Sequence, residues 1–461
     1  MTTNNIQKIK KSLRLSVFDG AATSVALGLT QSYIIPFALQ LQATTFQIGL
    51  LTSIPNLSMA LSQMIAPNLT ERIGSRKGII FPAVLVDALM WLPIFLIPFL
   101  FKENSFLFLI IFFAFKAVGG GLAGPAYGSM MADLAVAGVR GRYFSRKLMV
   151  NNACTIAISF VAMGIMQHYK NVDNQFLGFS LLFGGALVFR LLAAYFISGI
   201  YEPLMRNGQQ KSESVVEIIS HLKDSNLGKF LIVMSLTIFT MNIAGPFFSV
   251  YLLRDLKFEY VPYIIITTSG GIFSILLQPF WGRRADKSGN VIIIKIATFI
   301  MPLVPISFIF SANIFYLIAT QLISAFVLSG LNLASVNFIY DAAEPEHRTQ
   351  HLAIFTMFAG IATCGGSLLG GFLAPHLPPL FGYPLRTLFL LAGLIRLFVV
   401  TIGFRQIKEV RQVPKISVVD FLLGRFPKPA MVEVVRKDFG FDLIPDFRDE
   451  ELVDKNEDRL E

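Results

Sequence analysis

The sequence predicts an all-α membrane protein: twelve transmembrane helices in two pseudo-symmetric six-helix bundles. Composition is the first indication. Of 461 residues, 54% are hydrophobic and 15% charged, and mean hydropathy is +0.63. A water-soluble domain carries about 25% charged residues, so most of this surface meets lipid. The second indication is a series of twelve apolar runs, each near the roughly 20 residues that a helix needs to cross a bilayer. The third is a set of landmarks that occurs twice in the same order. Glu71-Arg72-Ile73-Gly74 returns as Asp286-Lys287-Ser288-Gly289 after 215 residues, Asp133 with Arg140 as Asp341 with Arg348 after 208, and Arg190 as Arg396 after 206. Such similar offsets, with apolar runs between them, imply two related halves.

In chain order, residues 1–12 read as a short basic cytoplasmic tail. The first bundle, 13–200, holds runs at 13–40, 46–67, 78–101, 105–132, 144–167 and 176–200. Residues 201–228 are the central loop, where 214–222 has apolar positions at helical spacing and suggests an amphipathic surface helix. The second bundle, 229–405, holds runs at 229–253, 260–281, 290–312, 314–340, 352–376 and 384–405. Prolines at 36, 55, 93, 125, 246, 279 and 302 fall within or near these runs. Membrane helices accept such breaks because neighbouring helices re-satisfy the backbone. The tail, 406–461, turns polar and ends acidic, which reads as solvated chain.

The formal charge of +10 invites a nucleic-acid reading, but its distribution argues for topology instead. With the N-terminus inside, nineteen basic residues fall on cytoplasmic segments before the tail, among them Lys147. Five fall on outer loops: Lys102, Lys170, Arg254, Lys257 and Arg386. That bias places both termini in the cytoplasm, in a cytoplasmic (inner) membrane, and its basic surplus against anionic headgroups. Cys154 and Cys364 both fall inside apolar runs, which indicates free thiols and no disulfide framework.

The loops carry a family resemblance. Gly282-Arg283-Arg284-Ala285-Asp286-Lys287-Ser288-Gly289 resembles the Gly-x-x-x-Asp-Arg/Lys-x-Gly signature of the major facilitator superfamily. Pro67 to Lys77 resembles a degenerate copy, with Glu71 for the Asp and Pro67 for the first Gly. Arg140-Gly141-Arg142 and Arg348 resemble the superfamily's arginines in loops 4–5 and 10–11. Gly141-Arg142-Tyr143-Phe144-Ser145-Arg146-Lys147 resembles a poorly characterised bacterial and archaeal branch. The resemblance covers about residues 13–405 and implies a substrate site between the halves at mid-membrane, with monomers the norm. A carboxylate at one helix end can accept bonds from a neighbouring helix N-terminus and pair with Arg. On that basis Glu71, Arg72, Arg76, Arg283, Asp286 and Lys287 are candidate gating residues, with tight turns at Gly74 and Gly289.

Ionisable groups within a bilayer are costly and need an explanation. Lys116 lies eleven residues into the fourth run, roughly 16 Å deep. Lys116 with Gly120 resembles the superfamily's basic residue four before a Gly, usually Arg, which implies proton coupling or substrate contact. A structural ion pair is the alternative, and Asp87 on the third run is its candidate partner. Asp19 and Asp87 are the candidate proton carriers. Arg190 and Arg396 read as structural side chains snorkelling toward headgroups. Gln31, Asn56, Asn151, Asn242, Asn332 and Asn337 are candidate solute contacts. Small residues four apart suggest close helix crossings at Ser16, Gly20, Ser24 and Gly28, at Gly120, Gly124 and Gly128, and at Gly366 and Gly370.

No phosphate-binding Gly-x-x-x-x-Gly-Lys-Ser/Thr loop is present, and no His/Cys/Glu set has metal-ligand spacing. The fifth run lacks the Gly-Pro-rich pattern of the family's proton-coupled drug antiporters. The resulting expectation is a secondary transporter that moves a small solute by alternating access, with proton coupling as an added expectation. It needs no cofactor, nucleic acid or catalytic activity. A non-transporting receptor or assembly factor that binds a partner through its C-terminal tail is the alternative.

Overall fold

Helix breaks at Gly245-Pro246 and Met301-Pro302 coincide with proline, whereas Pro55, Pro67, Pro125 and Pro279 lie inside unbroken helices. A computed structural model describes residues 3–101, 104–135, 140–203, 225–343, 348–403, 407–411, 413 and 421, without the side chains of 3–6, 140–142, 286 and 348–350. Among the described residues there is no strand. The amphipathic stretch at 214–222 lies outside them.

The first half comprises α1 (Thr3–Thr30), α2 (Ile34–Gln40), α3 (Thr45–Ile73), α4 (Lys77–Leu89), α5 (Trp91–Leu100), α6 (Ser105–Leu134), α7 (Arg140–Asn171) and α8 (Gln175–Ser198). The second comprises α9 (Asn226–Ala244), α10 (Phe247–Val250), a π-helical turn (Tyr251–Asp255), α11 (Tyr260–Ser288), α12 (Val291–Ile300), α13 (Leu303–Ser307), α14 (Ile314–Ala342), α15 (Arg348–Leu373) and α16 (Pro384–Gly403). Breaks between α1 and α2, and between α4 and α5, leave continuous apolar stretches at Gln7–Gln40 and Lys77–Leu100.

Eleven helical stretches are long and apolar enough to cross a membrane. The expected ninth run differs. It forms the shorter Val291–Ser307, broken near Pro302, with Pro305 in its second piece. Proline removes a backbone donor and crowds the preceding turn, which shortens each piece. The N-terminal segment differs too. Helix α1 starts at Thr3, and Ser12 Oγ accepts the Tyr201 amide at 2.9 Å, so residues 3–12 are not a free tail.

The two halves meet along α3 with α15 and along α7 with α11. A Cβ at Gly49 of α3 would meet the Ser367 carbonyl of α15 at 2.6 Å, and one at Gly360 would meet the Ala60 methyl at 2.4 Å. Backbones that close require glycine. Gly20 and Gly28 likewise admit α7 against α1, and Gly366 and Gly370 admit α9 against α15. The expectation fails for Gly120, Gly124 and Gly128. All three are exposed, and nothing lies within 4 Å of a Cβ built on them. Their neighbours Gly119 and Gly121 make the crossings instead, against the Ala83 and Met59 carbonyls.

Apolar packing divides into three clusters. One holds residues of both halves, including Tyr33, Phe37, Phe179, Phe247, Tyr251 and Phe389, at the end away from the duplicated loops. The other two lie at the loop end. Residues 13 to 200 alone build one, and residues 227 to 421 the other. The halves therefore share a core at one end and keep separate cores at the other.

Candidate functional site

Five buried or part-buried charges come together across α1, α4, α6, α7 and α8. Asp87 on α4 is a junction. Its Oδ1 takes the Lys116 ammonium from α6 at 2.9 Å, and its Oδ2 takes the Arg190 guanidinium from α8. The partner that the sequence suggested for Asp87 is present. The Lys116 Nζ also lies 5.1 Å from the Trp91 ring centre and 5.6 Å from that of Phe113, a cation–π setting. Lys116 thus works within the first half as an ion pair. Arg190 does not snorkel: it donates to Thr23 Oγ1 on α1 at 2.8 Å, and its Nε is buried without a partner.

One turn before Thr23, buried Asp19 accepts the Tyr127 hydroxyl of α6 at 2.7 Å. That phenol oxygen accepts the Lys147 ammonium of α7 at 2.7 Å. The reading of Lys147 as a topogenic loop charge is overturned. The side chain is 9% exposed, because its stem crosses Gly20, where a Cβ would meet Lys147 Cε at 2.9 Å. Thr23 also interacts with the Asp19 carboxylate, so polar contacts run from Lys147 to Lys116.

Arg396 is buried rather than snorkelling. It donates to Thr240 Oγ1 at 3.4 Å, the Thr240 carbonyl at 3.0 Å and the Met301 carbonyl at 3.2 Å. Arg190 and Arg396 thus perform one task twice, each tying the last helix of a half to a threonine on its first. Both lie on the bundle-facing side of their helices, so most of their donors, the Arg190 Nε excepted, find acceptors without reaching the headgroups.

The neutral candidates join this network less. Asn56 and Asn242 spend amide donors on their own helices, at the Thr52 and Ile238 carbonyls, and Asn242 also reaches Thr363 Oγ1 at 3.3 Å. Gln31 and Asn332 are exposed and Asn337 is half-buried. Asn151 is one turn from Lys147, and its Oδ1 is buried without a partner.

The duplicated loops form clamps, and of the expected residues of the first loop Arg76 makes the ion pair. Glu71 and Arg72 are exposed and form no ion pair among the described residues. Arg76 carries the contact, with NH1 on Asp133 at 2.6 Å. Helix α3 ends at Gly74, φ 68°, whose turn points the chain so that Arg76, not Glu71, faces α6. Glu202 then accepts the amides of Arg76 and Lys77 at 2.5 and 3.3 Å, and Ser75 Oγ at 2.8 Å.

In the second half, Gly289 has φ 83°. Asn290 Nδ2 and the Arg411 guanidinium both reach Asp341 Oδ2, at 2.7 and 2.8 Å. Glu409 accepts the Val291 amide at 2.8 Å. Arg283 is exposed and bonds its own helix at the Pro279 carbonyl, Lys287 is exposed, and Gly282 has open space beside it. The side chains of Asp286, Arg140 and Arg348 lie outside the described residues.

The second clamp therefore recruits the C-terminal tail, whose polar composition suggested solvated chain rather than docking. Asn226 and Lys408 exchange two hydrogen bonds, and Phe421 is fully buried against Trp281.

A family model described as Major Facilitator Superfamily matches residues 18–261 and 230–438. The chain belongs to the Major Facilitator Superfamily. Solved structures agree in fold. The nucleoside transporter NupG superposes with a TM-score of 0.63 at 16% identity, covering 87% of this chain and 99% of that one. A D-xylose-proton symporter gives 0.65 at 15%, covering 87% and 98%. A bacterial homolog to the human lysosomal transporter Spinster, in an inward-facing unoccupied conformation, gives 0.62 at 13%, covering 92% and 99%. A search of curated proteins found no match. As a superfamily member with eleven membrane-length apolar helices, the chain is an integral membrane protein of a solute-transporter family.

Proposed function

We propose that the protein moves a small solute by alternating access, with residues 13–200 and 229–405 rocking as two six-helix bundles. The shorter Val291–Ser307 counts as the twelfth transmembrane element. The observation that carries this reading is the division of the apolar core: shared between the halves at one end, separate at the loop end. Polar contacts agree. Between described residues, those joining the halves lie away from the loop end: Tyr263 Oη to the Ser32 carbonyl, Arg254 to Thr45, Tyr260 to Gln175, Lys170 and Gln167 to Glu259, and Ser53 to the Cys364 carbonyl. With both termini in the cytoplasm, as the loop charges indicate, this is a state closed outside and open inside.

Asp19 and Asp87 are the proposed proton carriers. Each is buried beside cations on other helices, so a change in its protonation changes which helices it holds. The protein needs no catalytic step for this work.

Distances between spin labels at exposed Arg72 and Arg283, on the loop end of each half, test the reading. Two populations that interconvert with solute or pH are expected. A single fixed distance under all conditions would overturn alternating access. Uptake into vesicles under a pH gradient, with Asp19→Asn and Asp87→Asn, then tests coupling: gradient dependence that survives both substitutions removes these carboxylates from the role.

A further inference from the structure

We infer that the transported solute is an organic anion and that Lys147 receives its negative charge. The inference rests on the transport reading above. It starts from a charge imbalance within the first half, where Asp19 and Asp87 face Lys116, Lys147 and Arg190. Asp87 is in direct contact with two of those cations. Lys147, among the described residues, has no carboxylate within salt-bridge distance. Its ammonium ends on the neutral phenol of Tyr127, over whose ring it sits at 4.8 Å from the centre. A buried ammonium without a paired anion is unfavourable, so the site is incomplete as it stands.

The surroundings show where the missing charge comes from. On α6, Phe106 and Ile110 share a face with Gly120, Gly124 and Gly128 by helical spacing. That face is buried at the end where the halves close, whereas Leu107, Ile111 and Phe115 form an opposite, exposed side. The glycine face is thus the inward one, and it opens toward the loop end. Tyr127 stands between Gly124 and Gly128, whose Cβ positions meet nothing within 4 Å.

A lysine offers a compact point charge rather than a bidentate fork, which suits a single carboxylate as well as a phosphate. Among the described residues, Asp19, on the far side of the Tyr127 hydroxyl, is the negative charge near this seat. A proton on Asp19 removes the repulsion, so anion and proton enter together.

Thermal unfolding of the purified full-length protein tests this with matched pairs: lactate with lactamide, gluconate with sorbitol, and glutamate with glutamine. At least one acid is expected to raise the midpoint of wild type while its neutral counterpart does not. Lys147→Gln should weaken that acid by about tenfold or more, and Lys147→Arg should retain it. Should Lys147→Gln not fold, Asp19→Asn replaces it and is expected to tighten acid binding several-fold; unchanged or weaker binding overturns the inference. Stabilisation by neutral members alone overturns the anion assignment, stabilisation by an acid to which Lys147→Gln is indifferent overturns the role of Lys147, and either leaves transport standing. If no member of either series moves the midpoint, the anion assignment falls and the transport reading loses its support as well.

Discussion

Glu202 and Glu409 perform the same task 207 residues apart. Each follows the last helix of its half and turns back to take a free backbone amide at the start of a neighbouring helix, that of Arg76 just before α4 or of Val291 in α12. Capping donors at a helix N-terminus is worth about 0.5–2 kcal/mol, and a carboxylate there also meets the positive end of the helix dipole. Each half is thereby closed on itself by its own chain end. Glu202→Ala and Glu409→Ala should each lower stability by about 1 kcal/mol, read as a lower unfolding midpoint in detergent. A null effect at both would mean that solvent replaces the cap at no cost.

Asp87 holds two cations from two other helices. Asp87→Asn leaves both without their carboxylate and should cost about 3–5 kcal/mol, read as a lower unfolding midpoint of the purified protein. Adding Lys116→Met to that variant should restore part of the loss, because only Arg190 then lacks its partner. Double-mutant unfolding measures this, and strictly additive losses would dissolve the idea of a single junction.

Adjacent glycines should respond in opposite ways. A Cβ at Gly119 would meet the Ala83 carbonyl at 2.5 Å, whereas one at Gly120 meets nothing within 4 Å. Gly119→Val should destabilise by about 1–3 kcal/mol through overpacking. Gly120→Val should change stability by less than about 0.5 kcal/mol, yet narrow the open face and slow solute movement. Unfolding midpoints of the pair, measured side by side, decide it.

The Lys170–Glu259 bridge, 2.6 Å long, joins the halves at the closed end. Hydrogen bonds from Lys170 and Gln167 hold the Glu259 carboxyl below its ordinary value of 4.5. Because the carboxyl is depressed in the closed state, its contribution is complete above the ordinary value and is lost as pH falls through the depressed one. Both side chains are partly exposed, so the effect is small and salt-sensitive. Spin labels at exposed Asn174 and Lys257 should report a constant closed fraction between about pH 5 and 8 and a fall below that range. Glu259→Gln should remove the fall.

Sequence reasoning reached some of this and missed the rest for identifiable reasons. Apolar length and the duplicated loops announced the membrane fold and the family. The Asp87–Lys116 pair was legible because two opposite charges at similar depth have few other partners. Lys147 was not: it lies beside Arg140, Arg142 and Arg146 in the chain, and only the crossing at Gly20 draws it into the bundle. Arg190 and Arg396 were expected to reach for headgroups, since sequence gives depth but not which face of a helix turns inward. For the same reason the Gly120, Gly124 and Gly128 spacing suggested a crossing where there is an open face. Of the expected loop residues Arg76 makes the ion pair and Glu71 does not, because the left-handed turn at Gly74 lies between them.

The docked tail bears on how this protein can be handled. Lys408, Glu409, Arg411 and Phe421 touch the ends of α9, α12, α14 and α11, and Arg411 supplies the second half with the arginine that Arg76 supplies to the first. A reporter spliced in before residue 421, or a deletion reaching Glu409, would unlash four helices at once. A fluorescent fusion placed beyond that point spares the lashing, so the site of a tag alone can decide whether the purified protein is a faithful specimen.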